Sequence, residues 1–230
     1  MLPLKKVTGT DGKFNIIATD THVCRAIEIM GRWERELLEY ITPLICTDYT
    51  ILDIGCNVGA HTIFYAKHSP QGQVMAFDVI PDFVKITQKN IRLNKFKNAS
   101  AYNIGLSDIP GEITVPADLS EIFGKKEYNF GGLHLDSLQY SDTQHKTKKV
   151  KIITIDSLQL LKCDLIKIDV EEMEPQVLMG AVRTIDRFKP IIVFEAFRKT
   201  MQRCFDILHD YGYTDIQCPT SNPADFVALK

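Results

Sequence analysis

The densest chemistry in the chain sits in the run Thr50-Ile-Leu-Asp53-Ile-Gly55-Cys56-Asn57-Val-Gly59-Ala60-His61-Thr62. An apolar, β-branched stretch ends at Asp53, a turn with two glycines follows, and a helical pattern begins near Ala60. Glycines at 55 and 59 let backbone approach a ligand where a Cβ would collide. The helix start offers free N–H groups and the positive end of a dipole to a carboxylate or phosphate. Asp78 closes the next strand pattern, where one acidic side chain can accept hydrogen bonds from both hydroxyls of a ribose. These residues predict a ribose-bearing cofactor over the carboxyl ends of two neighbouring strands.

The glycine order narrows its identity. Nicotinamide and flavin turns carry G-x-G-x-x-G, whereas this turn reads G-x-x-x-G with Asn57 at its centre. A diphosphate needs three close glycines; a smaller amino-acid tail does not, and Asp53 suits the ammonium of a methionine-like tail. The pattern D-x-G-x-N-x-G therefore favours S-adenosylmethionine (SAM), which leaves S-adenosylhomocysteine (SAH) as product.

A second group lies in Asp164-Leu-Ile-Lys167-Ile-Asp169-Val-Glu171-Glu172-Met-Glu174-Pro175. Asp169, Glu171 and Glu174 are too close to ionise independently in a dry cleft, so at least one should titrate high. A raised carboxylate is what a general base near neutral pH requires, and Asp169 or Glu171 fills that role for an alcohol acceptor. Glu172 reads instead as a first-turn acid beside Pro175. Asp169, Glu171 and Glu195 are oxygen donors of the kind magnesium takes. Nothing in the sequence indicates a diol acceptor, however, so no metal is expected.

These side chains need a scaffold. Near-continuous apolar runs at Thr50–Gly55, Gln73–Asp78, Leu165–Val170 and Pro190–Glu195 predict buried parallel strands. Helical spacing follows Pro81 through Asn94, continues from Pro175 through Ile185 as one helix, and recurs from Met201 to Leu208 before Gly212. One or two helices are predicted between Val23 and about Leu44. Alternation of this kind gives an α/β fold with a doubly wound sheet. We read residues 1–230 as a single domain, with a helical cap over about 1–48 and a substrate-loop insertion over 109–149. Within that insertion Glu112–Val115 and Lys149–Ile155 are expected to pair as an antiparallel ribbon. Its lysines, Lys146, Lys148, Lys149 and Lys151, read as a solvated rim.

Composition sets outer bounds. With 27 Lys and Arg against 29 Asp and Glu the formal charge is −2, and 45% of residues are hydrophobic. That balance argues against nucleic acid or an anionic membrane as partner, both of which select a basic face. No run of eighteen apolar residues predicts membrane insertion. The six cysteines are widely spaced, which predicts free thiols and a soluble chain in a reducing, cytoplasmic compartment. Oligomeric state is left open.

The combination of Trp33-Glu34, LDIGCNVGAHT, Asn90-x-x-x-Asn94, Asn129-x-Gly131-Gly132, Thr154-Ile-Asp156-Ser-Leu, LIKIDVEEME, Pro190…Glu195 and Tyr211-Gly212-Tyr213 resembles the FkbM-type SAM-dependent methyltransferases. The resemblance implies a Rossmann-like class I methyltransferase fold: a seven-stranded, mostly parallel sheet with helices on both faces and Asp225–Leu229 as its antiparallel last strand. It also implies O-methylation of a small-molecule hydroxyl on a sugar, glycan or polyketide-type metabolite. On that reading Asp53, Gly55, Cys56, Asn57, Gly59 and Thr62 wall the methionine tail, and Asp78 holds the ribose. Asn103, Gly105 and Ser107 line the adenine edge. Asp169 and Glu171 act at the acceptor with His61 in reach, and Asn129, Gly131, Gly132, His134 and Glu195 stand on the substrate side. Trp33-Glu34 closes over the cofactor or packs as core. The sequence departs from the family at Cys56, where alanine is usual, and at Glu172, where glycine is usual. The competing readings are a non-catalytic SAM-binding protein and a nicotinamide-dependent oxidoreductase on a similar sheet.

Overall fold

A computed structural model of the chain describes residues 2–133 and 145–230. The chain opens with an antiparallel hairpin, β1 (Leu4–Thr8) and β2 (Lys13–Ile17), before helices α1 (Val23–Met30) and α2 (Arg35–Ile41). The helical cap expected over about 1–48 is thus only partly helical. The hairpin was missed because its stability comes from a distant partner. Asn90 of α4 (Pro81–Leu93) accepts from the Asn15 N–H at 2.6 Å and donates to the Asn15 carbonyl at 3.1 Å. Asn94, one turn on, does the same for Lys13 at 2.8 and 2.7 Å. The Asn90-x-x-x-Asn94 spacing puts both amides on one helix face as a substitute strand edge.

The central sheet has seven strands: β3 (Thr50–Ile54), β4 (Gln73–Phe77), β5 (Ala99–Tyr102), β9 (Leu165–Ile168), β10 (Ile191–Glu195), β11 (Asp215–Gln217) and β12 (Asp225–Leu229). Their order is β11-β12-β10-β9-β3-β4-β5, with β12 antiparallel to both neighbours and the β5-β4-β3-β9-β10 pairings parallel. Alternate residues face opposite cores. Ile51, Leu165, Val193 and Val227 pack beneath the hairpin, α1, α2, α3 (Ala60–His68) and α4. Leu52, Ile54, Ile166, Ile168 and Phe194 pack against α6 (Glu174–Met179), α7 (Val182–Phe188) and α8 (Arg198–Asp210).

The periodicity from Pro175 to Ile185 serves two helices rather than the single one expected. The break falls at Gly180, which packs so closely on the Ser107 carbonyl that a Cβ would lie 2.1 Å from it. Asp156 then starts α7 afresh by accepting from the Arg183 and Thr184 N–H groups at 3.0 and 2.8 Å. A smaller sheet, β6-β8-β7, holds the predicted ribbon: β7 (Gly111–Pro116) runs antiparallel to β8 (Thr147–Ile153), and β6 (Gly105–Leu106) flanks it. A short helix, α5 (Leu119–Phe123), follows β7.

Candidate active site

The turn after β3 is fastened from all sides. The Gly55 and Cys56 N–H groups both donate to the Phe77 carbonyl, at 2.9 and 3.0 Å. Gly55 has φ +78°, and a Cβ there would stand 1.7 Å from the Asp169 carbonyl oxygen, so only glycine fits. Asn57 takes φ +49°, a conformation asparagine tolerates. Its N–H donates to Asp78 Oδ2 at 2.9 Å, and its carbonyl accepts from Thr87 Oγ1 at 2.8 Å. Asp78 also accepts from the Ile80 N–H at 2.8 Å. Burial pushes the Asp78 carboxyl up to about 7, a rise that these two N–H bonds and Lys167 restrain. Gly59 packs on the Thr87 side chain and is followed by α3. Cys56 is buried against Thr87, and its thiol is pushed far up by burial and by Asp78 and Asp53.

Strand register builds a polar stripe on the sheet face that α2 and α3 cover. Asp53 pairs with Lys167, which pairs with Val193; Glu195 pairs with Asp225. All four polar groups lie at the carboxyl ends of β3, β9 and β10 or the start of β12. Asp53 is fully buried; Thr62 Oγ1 donates to its Oδ2 at 2.5 Å, and its Oδ1 has no hydrogen bond. The Lys167 ammonium donates to the Gly55 carbonyl and to Asp169 Oδ2, each at 3.1 Å, and stands 3.8 Å from Asp53 Oδ1. Burial alone would depress this ammonium, but Asp169, Asp53 and Glu34 outweigh it and hold the proton more firmly than usual. Glu34, just before α2, reaches in so that Oε2 lies 3.2 Å from His61 Nε2, at ion-pair range but without hydrogen-bond alignment. Burial would raise the Glu34 carboxyl; His61 and Lys167 bring it below the ordinary value.

Glu34, Leu37, Lys167, Asp169, Glu195 and Asp225 share one narrow cleft. Burial, with Asp169 and Glu34 adding to it, pushes Glu195 up to about 8. Burial and Glu34 push Asp225 up to about 6, against the pull of its Thr220 hydrogen bond at 2.7 Å. Asn222 Nδ2 bridges the pair, at 2.8 Å from Asp225 Oδ1 and 3.4 Å from Glu195 Oε1.

The turn after β9 carries two consecutive left-handed residues, Glu171 at φ +53° and Glu172 at φ +72°. Buried Glu174 holds them: its Oε1 accepts from the Val170 and Glu172 N–H groups at 3.3 and 3.1 Å. Glu172 pairs with Lys199 of α8 at 3.1 Å. A left-handed φ explains why glycine would be the easier residue at 172, and the ion pair is what this chain sets against the strain. Burial, then the charges of Asp169 and Glu174, push Glu171 up to about 7.

The structure therefore brings Asp53, Gly55, Cys56, Asn57, Gly59, His61, Thr62, Asp78, Asp169, Glu171 and Glu195 to one edge of the sheet. Asn103 borders Asp78, but its amide is engaged: Nδ2 donates to the Asp78 and Val79 carbonyls at 3.0 and 2.8 Å, and Oδ1 accepts from Lys148 at 2.8 Å. Lys148 does this while remaining exposed, and Lys146, Lys149 and Lys151 of the expected rim are exposed too. Gly105 packs on Val79 and Ile152, and Ser107 bonds the Ile153 carbonyl and lies under Gly180, so both belong to the β6–β8 pairing. Asn129 Oδ1 accepts from the Gly131 and Gly132 N–H groups at 3.1 and 3.2 Å. Between them the Phe130 carbonyl accepts from Asn57 Nδ2 at 3.4 Å, which seats this segment on the glycine turn. His134 lies outside the described residues. Glu34 was singled out with Trp33 in the sequence, but Lys167 and Asp225 were not among the sequence candidates. The signal for Lys167 was present, a lysine inside an otherwise apolar buried strand; Asp225 becomes visible only once β12 is placed beside β10.

An open α/β sheet in this order, with a glycine turn after β3 and acids after β4 and β9, defines a class I methyltransferase fold. The sequence model of the Methyltransferase FkbM domain matches residues 53–214, and the chain belongs to that family. It is 25% identical over 146 residues to Methyltransferase 1 of Beauveria bassiana, an alignment covering 58% of each chain. It is 31% identical over 74 residues to a tRNA (guanine(37)-N(1))-methyltransferase of Giardia intestinalis, covering 32% of this chain and 17% of that one. The chain thus spans less than two thirds of either relative. The crystal structure of methyltransferase FkbM from Methylobacillus flagellatus KT superposes with TM-score 0.55 at 17% identity, over 80% of this chain and 44% of that one. Among the described residues, no helix is long and apolar enough to cross a membrane.

Proposed function

We propose that this chain is a SAM-dependent methyltransferase that transfers a methyl group to a hydroxyl of a small molecule, a sugar, glycan or polyketide-type metabolite. The observation that carries the reading is charge. Glu34, Asp53, Asp169, Glu171, Glu195 and Asp225 gather around one buried ammonium, Lys167, and three of these carboxyls are raised, by burial first and then by their negative neighbours. A ligand bearing a sulfonium and an ammonium answers that field, whereas a phosphate-rich acceptor is repelled by it. The residues fit in detail as well: Asp53 Oδ1 is buried without a hydrogen bond, and glycine at 55 lets the turn pack directly on the Asp169 carbonyl.

On this reading Asp53, Gly55, Cys56, Asn57, Gly59 and Thr62 wall the amino-acid tail. Asp78, whose oxygens each keep a second lone pair, takes the ribose. Asn103, with Gly105 and Ser107 behind it, borders the base. SAM, when bound, supplies an electrophilic methyl on sulfur. The chain's own task is to align the acceptor oxygen and take its proton. Glu171 is suited to that, since its carboxyl changes charge near neutral pH. Asp169 faces the positively charged donor beside Lys167, and His61 orients Glu34. Asn129, Gly131, Gly132, Glu195 and, outside the described residues, His134 border the acceptor. No metal takes part.

Calorimetry with SAM, SAH and NAD tests the cofactor: NAD binding without a response to SAM or SAH would refute the reading. Release of radiolabel from SAM over sugars, aglycones and tRNA tests the acceptor, and turnover that persists in EDTA is the expected metal result.

A further inference from the structure

Lys167 lies in β9, a strand buried on both faces whose other residues are all apolar. A methionine would fill the space of its stem without the cost of burying an ammonium. The β3–β9 ladder does not need the charge either, since it continues through backbone bonds up to the Asp169 N–H on the Ile54 carbonyl, at 3.0 Å. What the ammonium does is join two turns that follow different strands. It touches the carbonyl of Gly55, in the turn after β3, and the carboxylate of Asp169, at the start of the acidic turn.

We propose that Lys167 is the positioning residue of this site, fixing the glycine turn and the acidic turn to each other as one rigid unit. The inference rests on the SAM reading above. Its prediction about pH follows from the groups that face it. These are Asp53 of β3, Asp169 and Glu171 after β9, Asp78 after β4, Glu195 of β10, Asp225 of β12, and Glu34 with His61 of α3 behind it. The charge of Lys167 lowers Asp78, Glu171 and Glu34. Without it these carboxyls take up protons at higher pH, and the site loses its affinity for a cation sooner on acidification.

The test is SAH titration by calorimetry between pH 6 and 9 on the wild type, Lys167→Met and Lys167→Arg, with melting temperatures recorded alongside. For Lys167→Met the expected result is about tenfold weaker SAH binding at pH 8 and an acid-side midpoint higher by about one pH unit. Lys167→Arg keeps the charge and returns the midpoint to the wild-type value, although its planar head leaves affinity below wild type. A role confined to stability predicts a lower melting temperature with unchanged affinity and midpoint in the folded variant, and that result overturns the proposal. Should Lys167→Met fail to fold, Lys167→Gln replaces it. Asp169→Asn approaches the same contact from its other end: its affinity must fall too, whereas its midpoint must move down rather than up, because the Asp169 charge raises Asp78 and Glu171 where Lys167 lowers them. Wild-type protein that binds neither SAM nor SAH refutes the cofactor reading instead, a result distinct from variants that match a binding wild type.

Discussion

The turn after β3 and the turn after β9 lie side by side and are built by opposite means. In the first, backbone and side chains close on one another: the Gly55, Cys56 and Asn57 N–H groups all have acceptors, and Thr62 and Thr87 secure Asp53 and Asn57. In the second, two acidic residues are held in left-handed backbone, and a carboxyl there sits near neutrality. The first turn is preorganised, so its ligand meets a surface that need not rearrange. The second keeps strain and an unsettled charge where the proposed reaction moves a proton. On the proposed reading, rigidity on the cofactor side and adjustable ionisation on the acceptor side should be separable.

Glu171→Gln tests that separation most severely. It should lower kcat by about 100-fold while SAH affinity stays within about threefold, because the loss is confined to the transition state. The rise of rate with pH through about 7 should vanish as well. A comparable fall in SAH affinity would show that the two turns work as one binding surface.

On the cofactor side of the proposed site, Asp78→Asn removes the charge proposed to receive the ribose hydroxyls. SAH affinity should fall about tenfold with kcat at saturation little changed. In the wild type, affinity should weaken as pH falls through about 7, where Asp78 gains its proton. Full affinity in the folded variant would place the ribose elsewhere.

Stability should respond to pH through raised carboxyls on both sides of the site. Asp78, Glu171, Glu195 and Asp225 all have folded values above those of the unfolded chain. Between the unfolded and folded values the native state binds more protons, so stability is present at low pH and lost as pH rises. Tm should therefore fall by about 5 °C between pH 5 and 8. SAH should recover much of that loss. A Tm that rises over this interval would contradict the charge reading.

The smallest effect concerns strain. Glu172→Gly relieves a left-handed glutamate but forfeits an exposed ion pair with Lys199. Relief of about 1 kcal/mol against a pair worth about 0.5 kcal/mol should raise Tm by about 1–2 °C. If kcat falls at the same time, the strain at 172 serves to present Glu171.

Several family motifs turn out to serve the scaffold. Asn90 and Asn94 hold the hairpin, Asp156 starts α7, and Tyr213 donates from its buried hydroxyl to the Pro190 carbonyl at 2.5 Å. Their spacing was visible in sequence, but their work was not, because each bonds to a segment far away along the chain. The antiparallel end strand came from the family resemblance, whereas the parallel strands and the glycine turn were legible for the opposite reason. Apolar runs, glycines and helix-opening prolines act on their immediate neighbours, and local sterics decide them.

The amino-acid sequence by itself determined the α/β alternation, the glycine turn between Asp53 and Ala60, and the acidic character of the segment after β9. Local propensity and burial period suffice for each of these. Only the tertiary structure decided which charges share a space. Strand register put Lys167 opposite Asp53 and Asp225 opposite Glu195, and packing of the N-terminal segment brought Glu34 to His61. A carboxyl's ionisation depends on neighbours within a few ångströms and on its exclusion from water. Both are fixed by which strands lie side by side, a property that no single stretch of the chain contains.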